Sequence, residues 1–157
     1  MYQIILTPLD GSTRAESILP HVENLASHFN SKVILLQIIE PLIQFINPSL
    51  YETSIHSEAT YESMEDFKRK TETISTYLTD IQQKLINKGI DTVVRIEQGP
   101  VVETIISVTQ KENADLVAIA SHGRGGLSRV FYGSVAAGIM QKIDRPMLVI
   151  RSRNIKQ

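Results

Sequence analysis

A chain of 157 residues, 42% hydrophobic and 21% charged, has the size and balance of one globular domain with its own core. Its net charge of −1 gives no general pull toward nucleic acid or an anionic membrane. With no cysteine, disulfides and thiolate metal sites are excluded, and none of the four His pairs at the HxxxH spacing of a helical zinc site.

The opening Met1-Tyr2-Gln3-Ile4-Ile5-Leu6-Thr7-Pro8 lacks the basic start of a secretory signal and is too short to span a membrane, so a cytoplasmic protein is expected. Within it, Ile4-Ile5-Leu6 is the first of five short apolar runs. The others are Val33-Ile34-Leu35-Leu36-Gln37-Ile38, Thr92-Val93-Val94-Arg95-Ile96, Leu116-Val117-Ala118-Ile119 and Met147-Leu148-Val149-Ile150. They are rich in β-branched residues, and four of them are nearly continuous, as strands are when a parallel sheet is covered on both faces.

Helical spacing fills the gaps. Ala15, Ile18, Leu19, Val22, Ala26 and Phe29 mark one face of a first helix. Thr13 with Glu16 reads as its capping box, and Pro20 as a kink. A long second helix carries the stripe Phe67, Thr71, Ile74, Leu78, Ile81 and Leu85, with Gly89 as its stop. The third opens at Gly99-Pro100 and continues through Val101, Val102, Ile105 and Ile106. The fourth runs from about Gly133 through Val135 and Ile139 to Ile143, before Pro146. Residues 40–66 break this rhythm, with carboxylates at 40, 52, 58, 62, 65 and 66 and no Lys or Arg. They read as a mobile connection within one domain spanning 1–157.

The β-α alternation specifies an open, doubly wound parallel sheet with helices on both faces, in which ligands bind beyond the carboxyl ends of the strands. Pro8-Leu9-Asp10-Gly11-Ser12 follows the first strand. Asp10 there either accepts from a ribose or base and helps hold a metal with phosphates, or, with Ser12, simply caps the helix. Ala120-Ser121-His122-Gly123-Arg124-Gly125-Gly126 follows the fourth strand, and Gly133-Ser134-Val135 opens the last helix. Glycines and a helix start form an anion cradle, although a merely flexible loop has the same composition. Ile38 ends the second strand, where free backbone groups can read the edge of a base. Gln98-Gly99-Pro100 reads as a turn and cap.

Pro8-Leu9-Asp10-Gly11-Ser12, Leu35-Leu36-Gln37-Ile38, Gly99-Pro100, Ala114-Asp115-Leu116, Ser121-His122-Gly123, Gly133-Ser134-Val135 and Arg145-Pro146 together resemble the universal stress protein family. The resemblance covers the chain apart from residues 40–66. It implies a Rossmann-like α/β fold of five parallel strands in the order 3-2-1-4-5, with the ligand crevice between strands one and four. ATP-binding members carry a Gly, two residues, a Gly, nine residues, then Gly-Ser or Gly-Thr. Here the second Gly is Gly123, the nine residues are 124 to 132, and Gly133-Ser134 closes the motif. The first Gly falls on Ala120.

The resemblance thus implies ATP as ligand, with Mg²⁺ reaching Asp10 only through the phosphates, and binding residues Pro8, Leu9, Asp10, Ile38, Ala120, Ser121, His122, Gly123, Arg124, Gly125, Gly133, Ser134 and Val135. It also implies a homodimer through the last strand, Met147 to Ile150. A receiver domain would need a second carboxylate after the first strand and a Lys after the fifth. A pyrophosphatase-type ligase would need a Ser-Gly-Gly loop, and a strong ATPase would need the Walker lysine; the sequence has none of these. No general base faces a nucleophile, so a nucleotide-binding switch acting through a protein partner in stress is expected. The alternative is a dimeric interaction module with a vestigial pocket.

Overall fold

The computed structural model describes residues 1–40, 58–121 and 133–151. Five strands, β1 (Ile4–Pro8), β2 (Lys32–Ile39), β3 (Thr92–Gln98), β4 (Leu116–Ala120) and β5 (Met147–Ile150), form one parallel sheet in the order β3-β2-β1-β4-β5. Between them run α1 (Thr13–Glu16), α2 (Leu19–Phe29), α3 (Glu58–Ile86), α4 (Val101–Lys111) and α5 (Ser134–Lys142).

Alternation along each strand sends side chains to two separate cores. Ile5, Val33, Leu35, Leu116, Ala118 and Ala120 pack with Ala15, Val22, Leu78, Ile81 and Leu85 of α1, α2 and α3. Leu6, Ile34, Leu36, Val117 and Ile119 pack with Ile105, Val108, Ala136 and Ile139 of α4 and α5. Both faces of these strands must therefore be apolar, and the runs read as continuous for that reason. Right-handed crossovers that move outward from β1 in opposite directions place their helices on opposite faces, which makes the β1–β4 boundary the point of reversal.

The helix starts differ from expectation in three places. Ser12, not Thr13, caps α1: its Oγ accepts from the Ala15 amide at 3.1 Å, while Asp10 Oδ1 accepts from the Ser12 amide at 2.9 Å and its hydroxyl at 2.6 Å. Pro20 does not kink a long helix. The helix breaks at Ser17 and Ile18, and Pro20 sits in the first turn of α2, where its missing N–H leaves no intrahelical bond unmade. The α3 helix begins at Glu58, inside the segment expected as a connection, and Phe67 is 40% exposed rather than part of the core stripe.

The end of the sheet away from the strand tips is held by the Ala114-Asp115 and Arg145 motif residues. The Asp115 carboxylate accepts from the Gln3 amide at 2.8 Å and the Ile4 amide at 3.2 Å, and Arg145 donates to the Ala114 carbonyl at 2.7 Å. On the α4–α5 face Lys142 donates to Glu103 at 2.6 Å, and this bond holds the Glu103 carboxyl below the usual carboxylate range.

Candidate functional site

β1 pairs with β2 along five residues, from Ile4 with Lys32 to Pro8 with Leu36, but with β4 only at Ile5–Leu116 and Leu6–Val117. The two central strands therefore part beyond Leu6, and Pro8 has no N–H with which to continue a ladder. A cleft of about 850 Å³ opens there, within the size range of small-molecule sites.

Pro8, Leu9 and Asp10 form the cleft wall after β1, and Gly11 at φ 78° makes the turn, a conformation that penalises any side chain. Ile38 lies at the tip of β2. The Lys32 amide donates to the Gln3 carbonyl and the Leu36 carbonyl accepts from the Leu9 amide, whereas the Val33 amide donates toward β3. Even-numbered residues of β2 thus direct their backbone groups toward β1, and at Ile38 that side lies beyond the end of β1. A donor and an acceptor are presented side by side.

The opposite wall is built from β4 and α5. The Ser121 amide donates to the Ile150 carbonyl at 2.7 Å, and its carbonyl accepts from the Gly133 amide at 2.6 Å, so the end of β4 is tied to the start of α5. Gly133 is the N-cap of α5 at φ −60°, with no side-chain cap bond. The first bond inside α5 runs from the Ala137 amide to the Gly133 carbonyl at 2.9 Å. The amides of Ser134, Val135 and Ala136 consequently have no intrahelical acceptor, and all three residues line the cleft. An uncapped helix start carries about half a positive charge.

Ala120 lies in β4, 7% exposed, packed with Leu9 and Ala15, and its φ is not positive. The backbone at this position accepts a Cβ without strain. Ala120→Gly is therefore expected to lower stability by about 1 kcal/mol, through strand entropy and a lost methyl. Chemical denaturation of the two proteins checks this.

The sequence-expected residues Pro8, Leu9, Asp10, Ile38, Ala120, Ser121, Gly133, Ser134 and Val135 all border this one cleft. His122, Gly123, Arg124 and Gly125 lie outside the described residues. Unanticipated is the third wall, one face of α3: Arg69, Lys70, Thr73, Ile74 and Tyr77. Ile74 and Tyr77 pack against the core, whereas Arg69 and Lys70 are exposed. Among the described residues neither the buried Tyr77 hydroxyl nor the buried Gln37 Oε1 has a partner at ordinary hydrogen-bond geometry. Burial raises the Tyr77 pKa well above its ordinary value, and the carboxylates of Glu16 and Asp10 raise it further, so the phenol stays neutral. From sequence Ile74 reads only as part of the core stripe and Tyr77 is not singled out; its one-turn spacing from Ile74 and Ile81 is the available signal. Among the described residues no cluster of three or more His, Asp or Glu has the arrangement of a metal site.

The sequence profile of the universal stress protein family matches residues 1–151. The chain belongs to the universal stress protein family. Universal stress protein MJ0577 of Methanocaldococcus jannaschii is 27% identical over 159 residues, covering 98% of each chain. Universal stress protein Sll1654 of Synechocystis is 27% identical over 150 residues, 96% of this chain and 86% of that protein. The solved structure of MJ0577 superposes with a TM-score of 0.80 over 98% of this chain and 99% of its own. A universal stress protein solved in complex with cAMP shares the fold at a TM-score of 0.67 and 17% identity, covering 97% of this chain and 98% of that one. No helix among the described residues is long and apolar enough to cross a membrane.

Proposed function

We propose that the protein is an adenine-nucleotide-binding switch whose ligand, ATP, lies in the cleft between β1 and β4. The observation that carries this reading is the uncapped start of α5, whose Ser134, Val135 and Ala136 amides line the cleft without intrahelical acceptors. Such a terminus is suited to phosphate oxygens, and the Ser134 hydroxyl adds a further donor. The Ile38 backbone and Asp10 stand on the opposite wall, where an adenine edge and a ribose would lie. The family motif and the cAMP complex of a related fold support an adenine nucleotide over other anions.

The reading is one of binding rather than turnover, with hydrolysis slow at most. Asp10 is a single carboxylate, and its Oδ1 already holds Ser12. It would hold Mg²⁺ only together with nucleotide phosphates, as is usual for this ion. Ligand binding would alter the cleft walls and with them the surface offered to a protein partner. Denaturing the purified protein and identifying the released nucleotide tests the ligand. Calorimetry with ATP and magnesium is expected to give a dissociation constant of about 1 μM, or about −8 kcal/mol. Absence of heat and of any thermal shift at millimolar ATP would refute the reading.

We also propose that the protein is a homodimer joined through Met147 to Ile150. Among the described residues β5 pairs only with β4, lies at the sheet edge and keeps all four apolar residues partly exposed. An unpaired apolar edge favours association with a second copy. Sedimentation at tens of micromolar should give the dimer mass, and a monomer there would rule the interface out.

A further inference from the structure

The α3 wall gives the cleft a second place to meet negative charge, separate from the α5 terminus. Arg69, Lys70, Thr73, Ile74 and Tyr77 share one face of the helix, and that face borders the cleft for two turns. It is graded. Tyr77 and Ile74 sit against the core at its base, and the cationic side chains stand at its exposed rim. The Thr73 hydroxyl is engaged within the helix, where its Oγ1 donates to the Arg69 carbonyl at 2.9 Å.

The charges on the described cleft wall are Asp10 and Glu40 against Arg69 and Lys70. Arg69 forms an ion pair with Asp66 on its own helix. Lys70 has no ion pair among the described residues. A nucleotide brings several negative charges into this space. The α5 terminus answers them with amides and a partial charge, and the chain has no Walker lysine. A full positive charge on the facing wall is therefore worth most when the ligand carries more phosphate than the α5 amides can satisfy.

We infer that Lys70, seconded by Arg69, reads the phosphate chain of the ligand, so that the cleft selects adenosine polyphosphates over adenosine, AMP and cyclic AMP. This rests on the nucleotide reading above and assigns its specificity to α3. Lys70 is exposed on a helix flank, so replacing it should leave the fold within the small range of ordinary surface substitutions.

The test is calorimetry of the full-length protein and of Lys70→Ala and Lys70→Glu against adenosine, AMP, cyclic AMP, ADP and ATP at two salt concentrations, with thermal melts as control. The parent should bind ATP and ADP more tightly than AMP, cyclic AMP and adenosine. Lys70→Glu should weaken ATP about tenfold, leave adenosine unchanged, and flatten the salt dependence of ATP binding. Lys70→Ala should fall between. If AMP or cyclic AMP binds the parent as tightly as ATP, or if Lys70→Glu weakens adenosine and ATP alike, the inference is overturned while the nucleotide site stands. If the parent binds none of the five compounds, the nucleotide reading itself fails, and this inference fails with it.

Discussion

The Ser134→Pro variant is expected to melt within a degree or two of the parent and to bind ATP about a hundredfold more weakly. Position 134 is the first residue of α5, where proline is well tolerated because its missing N–H has no intrahelical acceptor. The residue before it, Gly133, already has φ −60° and ψ 152°, the extended conformation that a following proline requires. The helix therefore loses nothing. The ligand loses two donors to a charged acceptor, the amide and the hydroxyl, each worth about 1.5–3 kcal/mol, and about 3 kcal/mol in all corresponds to the hundredfold. Ser134→Ala, which removes only the hydroxyl, should fall between the parent and Ser134→Pro. Calorimetry on the three proteins orders them. Equal affinity of Ser134→Pro and the parent would place the phosphates away from α5.

The strands were legible because burial on both faces keeps the interiors of the central ones almost wholly apolar, as the run from Val33 to Leu36 demonstrates. Strand order needed the family resemblance as well, since apolar runs alone do not say which neighbours they choose. The α1 cap was ambiguous because Ser12 and Thr13 are adjacent and both suit the position; Asp10 selects Ser12 by accepting from its amide and hydroxyl together. The first turns of α3 were not legible. From Glu58 to Asp66 the residues are acidic and polar without an apolar stripe, so nothing in them signals a helix by burial. The cleft wall on α3 was missed for a related reason. Its core stripe was the visible pattern, while Arg69, Lys70 and Thr73 lie on the flank and acquire meaning only once the sheet edge is placed beside them. Ala120 shows the opposite error. It departs from the motif, yet its conformation makes no demand that only glycine meets.

Asp115→Ala should reverse the pattern of Ser134→Pro, costing about 2 kcal/mol of stability and leaving the affinity for ATP unchanged. The Asp115 carboxylate accepts from two consecutive amides at the start of β1, Gln3 at 2.8 Å and Ile4 at 3.2 Å, while its own amide donates to the Ile4 carbonyl at 3.0 Å. It thereby joins β4 to β1 at the end where these strands still pair, just before Ile5–Leu116. Bonds to a charged acceptor are worth about 1.5–3 kcal/mol each, but the Gln3 bond is exposed and contributes little, so the pair together is set at about 2 kcal/mol. The cleft opens at the opposite ends of the same strands, beyond Leu6 and Val117, and shares no residue with this clasp. Denaturant midpoints should fall without a change in the slope of unfolding, and calorimetry should return the parent's affinity while the protein is folded. A variant that kept its stability would show that the β1–β4 pair needs no clasp. One that lost affinity in proportion to stability would mean that the cleft geometry is set from the far end of the sheet.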